Sequence, residues 1–223
     1  MTRKESYFTP QSIESQAADL LQQATALYPP KGLRFQPDRS SLLVLDMQAY
    51  FLDASSHAFI PSARAIVDGL VQLIDAYSSL GRPIFFTQHV NSAGDAGMMA
   101  TWWKDVITDK SPFMDVIPEL SLARGTLIRK SQYDAFYQTP LEELLHARNV
   151  TQLVLCGVMT HLCVETTARS AFMRGYQVFL PVDGTATYTL SHHQASLLNL
   201  AHGFASIVLI KDLLTALRGV RHG

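Results

Sequence analysis

Six short apolar runs, separated by longer helical or irregular stretches, constrain the fold of this 223-residue chain more than any other feature. Each run has the length of a β-strand, and the runs cover residues 41–45, 84–87, 126–129, 153–156, 177–180 and 207–210. Strands buried on both faces read as continuous apolar runs, and strands that alternate with helices form parallel sheets. The pattern therefore predicts an α/β fold whose parallel sheet is covered by helices on both faces.

The N-terminal segment differs from the rest of the chain. Residues 12–28 form a predicted helix, and residues 29–40 contain the prolines and the glycine of an extended arm. We divide the chain into an N-terminal helix and arm, residues 1–38, and a domain of residues 39–223. Because the first segment is too short to fold alone, we expect it to pack on the domain or on a neighbouring subunit.

Three reactive side chains follow predicted strands: Asp46 after the first strand, Lys130 after the third and Cys163 shortly after the fourth. Sites in open parallel sheets form beyond the carboxyl ends of the strands, so we expect these groups to converge. A predicted helix begins near Thr160 and places Cys163 in its first turn, where free N–H groups lower a thiol pKa. The alternative is that Cys163 is simply a small buried apolar residue.

A carboxylate, an ammonium and a thiol in one pocket can cleave an amide. Asp46 can take the thiol proton, Lys130 can stabilise the resulting negative charge, and Cys163 can attack a carbonyl carbon. The N–H groups at the start of the Cys163 helix can then stabilise the oxyanion.

Charge and composition exclude several classes of protein. The net charge of −1 gives no electrostatic basis for binding nucleic acid or an anionic membrane, and no apolar run has the ~20 residues of a membrane span. The N-terminus lacks the apolar core of a signal peptide, and two cysteines give no disulfide framework, so we expect a reducing, cytoplasmic setting. The charged fraction of 17% is low, which favours a homo-oligomer, a dimer or a tetramer.

Three motifs together resemble a known family: LLVLDMQAYF around Asp46, LIRKSQYDAF around Lys130 and LCGVMTHLCVETTARSAFMRGY around Cys163. They are similar to the isochorismatase-like cysteine hydrolases, which include nicotinamidases, N-carbamoylsarcosine amidases, ureidoacrylate hydrolases and true isochorismatases. The resemblance covers roughly residues 35–212. It implies a three-layer α-β-α fold with six parallel strands, catalytic roles for the three side chains, an oligomer, and a cis peptide between Val158 and Met159 that directs an amide N–H, with Cys163, into the oxyanion site.

This sequence departs from the family at two points. Nicotinamidases carry an Asp-x-His pair and a further histidine that bind a metal, whereas Asp53 and His57 here are four residues apart, so we expect no metal and no cofactor. True isochorismatases often lack a nucleophile where this chain has Cys163, although the N-terminal arm looks more like theirs.

Four residues are candidates for contact with a small-molecule substrate: Phe51, His89, Trp102 and Tyr133. For the tryptophan pair at positions 102 and 103, and for Tyr133, a packing role is an equally good interpretation. We interpret His161 as structural, Cys156 as inert core, Asp183 as a loop anchor, and His192 and His193 as solvated.

The favoured function is hydrolysis of a small amide, carbamoyl or ureido C–N bond through a Cys163 thioester. The first alternative is vinyl-ether hydrolysis of isochorismate to 2,3-dihydro-2,3-dihydroxybenzoate and pyruvate, with Asp46 as general acid. The second is a catalytically silent member of the family. Substrate specificity is expected to lie in the long irregular segment of residues 90–119.

Overall fold

A parallel sheet forms the centre of the computed structural model, which describes residues 4–92, 94–103 and 105–220. Six strands lie in the order β3-β2-β1-β4-β5-β7, and a short β6 pairs with β4 beside this path. The strands are β1 (Ser40–Leu45), β2 (Ile84–His89), β3 (Thr126–Lys130), β4 (Gln152–Val158), β5 (Gln177–Pro181), β6 (Thr185–Ala186) and β7 (Ala205–Val208). The predicted α/β fold and parallel sheet are confirmed; the two-residue β6 is too short to produce an apolar run.

Eight α-helices surround the sheet in the described part of the chain. They are α1 (Ile13–Leu27), α2 (Ala49–Leu52), α3 (Val67–Ser79), α4 (Met98–Trp102), α5 (Leu141–His146), α6 (Glu165–Met173), α7 (Leu190–Gly203) and α8 (Ile210–Arg218). Every residue of β1 and β4 is buried, as expected for central strands covered on both faces. Among the described residues, no helix is both long and apolar enough to span a membrane.

The strand order reverses between β1 and β4. The chain runs outward from β1 to β2 and β3, and then returns to place β4 on the other side of β1. A crevice opens at such a reversal, beyond the carboxyl ends of the two strands. The residues that follow β1 and β4 therefore face each other across it.

Gly157 allows the ends of β1 and β4 to approach closely. It pairs with Leu45 and has a φ of +106°, a conformation that L side chains rarely adopt. A Cβ atom at this position would overlap the backbone of Leu45. The sheet at the crevice therefore requires glycine here.

The N-terminal segment packs on the domain. The backbone N–H of Glu5 donates to Tyr188 O (2.8 Å), and the N–H of Thr187 donates to the hydroxyl of Tyr7 (2.9 Å). Tyr7 and Phe8 belong to the same hydrophobic core as the sheet. Residues near position 5 are thus joined to residues near position 188.

The prediction that His193 is solvated is wrong. Its side chain is fully buried against Tyr7 and Phe8, and its Nδ1 lies 3.0 Å from the hydroxyl of Thr160. Burial lowers the pKa of His193 to about 3, so the imidazole is neutral in the folded protein. The N-terminal segment that buries it is distant in sequence, and local pattern gives no sign of that contact.

We predict that Gly157→Ala lowers the free energy of unfolding by at least about 3 kcal/mol, because the new methyl group meets backbone that cannot move without separating two central strands. Urea unfolding followed by circular dichroism measures the loss. Gly203→Ala is the matched control: its Cβ has open space, and we expect a change within about 1 kcal/mol. Equal effects of the two substitutions would contradict this account.

Candidate active site

Asp46, Lys130 and Cys163 meet in the crevice. The ammonium of Lys130 lies 2.8 Å from Oδ2 of Asp46 and 3.4 Å from Sγ of Cys163. All three residues are buried, and the carboxylate and ammonium side chains have no solvent exposure. The structure therefore brings the three predicted strand-end groups together, whereas their catalytic roles remain predictions.

The turn after β1 orients the Asp46 carboxylate. Asp46 has a left-handed backbone conformation, with φ at +52°, and its N–H donates to the hydroxyl of Thr87 (3.1 Å). That hydroxyl donates in turn to Oδ1 of Asp46 (2.6 Å). Oδ1 is thus occupied by Thr87, and Oδ2 faces Lys130.

Lys130 reaches the crevice from the edge strand. It is the last residue of β3 and pairs with His89 at the end of β2, so its side chain spans β2 to reach Asp46. Its ammonium also donates to the carbonyl oxygen of Gln132 (2.9 Å). The long stem of lysine suits this span, and the ammonium can donate its three protons in different directions.

Cys163 lies in an irregular turn, not in the first turn of an α-helix. Residues Thr160–Val164 form a π-helical turn that leads into α6, and the Val158–Met159 peptide bond just before it is cis. Such turns are found often at functional sites. The helix predicted from Thr160 therefore begins as α-helix only at Glu165.

The expected low pKa of the Cys163 thiol is wrong. Burial raises its pKa, and the Asp46 carboxylate raises it further, while Lys130 acts in the opposite direction. The helix-start argument failed because the side chain is only 6% exposed and faces a carboxylate. In the resting protein Cys163 is a neutral thiol.

The other two groups form an ion pair. Burial acts to raise the pKa of Asp46, but the charge of Lys130, helped by a hydrogen bond from Cys163, reverses this and brings the pKa below its usual value. Burial likewise acts to lower the pKa of Lys130, and the Asp46 and Cys163 groups bring it above the ordinary 10.5. The carboxylate and the ammonium are therefore both charged at neutral pH.

His89 is a neutral neighbour of this pair. Its Nε2 lies 2.9 Å from Oδ1 of Asn91, an acceptor, so Nε2 carries the proton and the Nδ1 lone pair faces Lys130 at 3.4 Å. Burial and the Lys130 charge lower the pKa of His89. The Nδ1 atom of the neutral imidazole thus accepts a hydrogen bond from the Lys130 ammonium, and the imidazole does not compete with that ammonium for the Asp46 carboxylate.

A cavity of about 630 Å³ reaches the three groups through Cys163, which forms part of its wall. Its wall is mostly apolar and aromatic, with Cys163 and His89 at the buried end and exposed residues such as Asp105 and His57 at the rim. The lining residues are Lys4, Tyr50, Phe51, His57, Ala58, His89, Asn91, Met99, Trp103, Asp105, Val106, Ile107, Tyr133, Met159, Leu162, Cys163 and Tyr188.

Three of the four predicted contact residues, Phe51, His89 and Tyr133, line the cavity. Met159 of the expected oxyanion site also lines it, whereas Val158 of that site is fully buried and does not.

Trp102 does not line the cavity. Its side chain is 74% exposed, while the neighbouring Trp103 is 40% exposed and forms part of the wall. Trp103 lies four residues after Met99, another lining residue, so the two share one side of the short helix, but the sequence does not show which side faces the cavity. Tyr50 and Tyr188, also missed, carried no signal in the sequence either.

The residues present do not fit the metal site of nicotinamidases. Asp53 accepts hydrogen bonds from the backbone and hydroxyl of Ser55, and His57 contacts Tyr50 and Asp105. Within the described residues, the one group of three possible ligands is Asp46, His89 and Cys163, with atoms within 4.8 Å of one another. The ammonium of Lys130 already supplies the positive charge in that group.

Comparisons with known proteins agree with this geometry. The profile of the isochorismatase domain matches residues 40–212. Nicotinamidase 3 of Arabidopsis thaliana is 37% identical over 185 residues, which are 81% of this chain and 89% of the relative. Enterobactin synthase component B of Escherichia coli (strain K12) is 29% identical over 185 residues, which are 82% of this chain but only 65% of that relative.

The fold also has a solved counterpart. The crystal structure of a cysteine hydrolase from Pseudomonas syringae pv. phaseolicola 1448A superposes with a TM-score of 0.82 and covers 86% of this chain and 99% of that one. At 23% sequence identity, this structural similarity supports the assignment of the fold alone.

We predict that Lys130→Met lowers the free energy of unfolding by about 3–5 kcal/mol at pH 7, because it leaves the Asp46 carboxylate buried without its cation. The double variant Asp46→Asn/Lys130→Met, which removes both charges, should be more stable than the single variant. The deficit of the single variant should shrink as the pH falls, because the loss of Lys130 removes the largest effect that opposes burial, so the pKa of Asp46 rises and the carboxyl takes up a proton.

Urea unfolding between pH 5 and pH 8 measures these differences. Lys110→Met, at an exposed position, is the control and should change stability by less than about 0.5 kcal/mol. A pH-independent deficit in Lys130→Met would contradict the electrostatic explanation.

Proposed function

Because this chain belongs to the isochorismatase family of hydrolases, we propose that it cleaves the C–N bond of a small amide, carbamoyl or ureido compound through a Cys163 thioester. The observation that carries the proposal is the position of the Cys163 thiol at the buried end of the cavity, beside the Lys130–Asp46 ion pair. The name of the relative with 37% identity, a nicotinamidase, also supports amide hydrolysis.

In the first step the sulfur attacks the carbonyl carbon of the substrate. Cys163 is neutral at rest, so a C–S bond forms as the thiol proton passes to Asp46. Lys130, 3.4 Å from the sulfur, stabilises the negative charge that develops there during attack. The carbonyl π electrons move to oxygen, and we assign the backbone N–H groups of Met159 and Cys163 as donors to that oxyanion.

The protonated Asp46 then acts as general acid. It returns its proton to the substrate nitrogen as the C–N bond breaks, and ammonia or an amine leaves. A water molecule attacks the thioester while Asp46 accepts one of its protons, and this proton restores the Cys163 thiol as the acid product departs. No group other than the three strand-end residues is needed to move protons.

Vinyl-ether hydrolysis of isochorismate is the less favoured reaction. It needs a protonated carboxyl that can donate to carbon, whereas the ion pair with Lys130 keeps the pKa of Asp46 below its usual value. In the resting site Asp46 is therefore an ionised carboxylate, which can accept a proton but has none to donate.

Two expectations from the sequence accompany the proposal. The low charged fraction favours a homo-oligomer, a dimer or a tetramer, and the free cysteines Cys156 and Cys163 favour a reducing, cytoplasmic compartment.

We predict that Cys163→Ala reduces the hydrolysis of every accepted amide by at least about 1,000-fold, because the nucleophile is lost. The assay measures ammonia release from nicotinamide, N-carbamoylsarcosine and ureidoacrylate. Cys156→Ala, which removes the buried thiol of β4, is the control and should keep its turnover. Pyruvate release from isochorismate that is undiminished in Cys163→Ala would instead identify vinyl-ether hydrolysis.

We predict that Asp46→Asn changes two rates in opposite directions. It removes the charge that raises the Cys163 pKa and leaves Lys130, which lowers it, so iodoacetamide should alkylate Cys163 faster at pH 7. Amide hydrolysis should fall by at least about 100-fold, because no base remains for the thiol proton.

Peptide mass spectrometry measures the alkylation of Cys163. Asp53→Asn, which removes a carboxylate that is bound to Ser55 and lies outside the cavity wall, serves as the control and should alter neither rate. If alkylation and hydrolysis fell together, Asp46 would be activating the thiol already at rest.

A further inference from the structure

We propose that Tyr133 determines substrate specificity: its hydroxyl, oriented by Trp103, donates a hydrogen bond to an acceptor atom on the substrate. The proposal rests on the proposed function only in taking the ligand to be an amide. It concerns the part of the ligand that does not react.

The hydrogen bond between the two side chains fixes the role of the tyrosine oxygen. Nε1 of Trp103 lies 2.6 Å from the hydroxyl oxygen of Tyr133. An indole N–H only donates, so the tyrosine oxygen must accept in this contact. The phenolic proton then has to point elsewhere, and among the described residues no acceptor for it is found.

The hydroxyl group keeps its proton and borders the reaction centre. Tyr133 and Trp103 both line the cavity that contains Cys163. Burial raises the pKa of Tyr133, and the effect of the Trp103 hydrogen bond in lowering it is smaller. At neutral pH the cavity wall therefore carries a neutral O–H donor.

The backbone around this donor is held in place. Asn91 donates to Ser131 O (2.9 Å), Gln132 donates to Asp95 O (3.2 Å), and the hydroxyl of Thr167 contacts Tyr133 O (3.4 Å). These bonds tie the segment after β3 to the segment after β2 and to α6. A donor on such a support keeps its position when ligand binds, and little ordering cost is added.

The remaining wall explains why one donor can discriminate between ligands. Phe51, Met99 and Leu162 contribute apolar surface, and the polar groups of His89 and Asn91 are bonded to each other. The other polar side chains of the wall also have partners within the protein; they belong to Lys4, Tyr50, His57, Asp105 and Tyr188. A ligand with an apolar body and one acceptor, such as a ring nitrogen or a carbonyl oxygen, would pair with Tyr133. A ligand without the acceptor would displace water from the hydroxyl without replacing the hydrogen bond that the water made.

The test measures binding to the Cys163→Ala variant, which keeps the cavity without turnover. Isothermal titration calorimetry compares benzamide with pyridine-2-, pyridine-3- and pyridine-4-carboxamide, which differ from it by one ring acceptor. We expect one isomer to bind about 3- to 10-fold more tightly than benzamide. Adding Tyr133→Phe should abolish this preference, and adding Trp103→Phe should reduce it, because the proton is then free to turn.

Tyr137→Phe, added to the same background, is the matched control; this tyrosine is exposed, lies outside the cavity and should leave the preference intact. Binding of none of the four amides, equal binding of all, or a preference that survives Tyr133→Phe would each overturn the proposal. If wild-type protein hydrolyses no amide although the Tyr133-dependent preference is present, the proposed function fails and this inference stands.

Discussion

The buried ion pair of Lys130 and Asp46 is the interaction on which the rest of the site depends. Two charges removed from water cost several kcal/mol each unless they pair closely and their remaining hydrogen-bonding capacity is satisfied. Here Thr87 occupies one carboxylate oxygen, and the ammonium lies 2.8 Å from the other. The hydrogen bonds of the ammonium go to the carbonyl of Gln132, the sulfur of Cys163 and Nδ1 of His89. Asp46, Lys130 and Cys163 follow or end three different strands, so the pair and its sulfur neighbour come together only when the strand order is correct.

The same pair determines the state of the thiol. Because burial disfavours the thiolate and the ionised carboxylate is close, the sulfur keeps its proton, and in the proposed mechanism the nucleophile becomes active only as a substrate carbonyl receives its electrons. A permanently ionised cysteine would react with any electrophile that entered a 630 Å³ cavity. A thiol that depends on its neighbour for deprotonation reacts mainly with ligands that fit, which makes the shape of the wall and the Tyr133 donor decisive for selectivity.

The fold and the three central residues were predictable because both depend on local pattern and one topological rule. Apolar runs mark strands, and the carboxyl ends of parallel strands lie at one edge, so Asp46 and Lys130 could be placed together without coordinates. The predictions that failed concern properties that depend on tertiary packing, which local sequence pattern does not show. The pKa of Cys163 depends on burial, the environment of His193 on Tyr7 and Phe8, and the choice between Trp102 and Trp103 on which side of a short helix faces the crevice.

The bonds between the N-terminal segment and residues 187–190 bear on how the protein is made. The hydroxyl of Tyr7 and the N–H of Thr187 are separated by 180 positions, so the whole stretch between them has to be synthesised before they can meet. The contact between Lys4 and Tyr188, which are both part of the cavity wall, likewise forms only after residue 188 has been synthesised. A nascent chain can therefore assemble its first strands early during translation, yet the mouth of the crevice is completed only after residue 188 has left the ribosome.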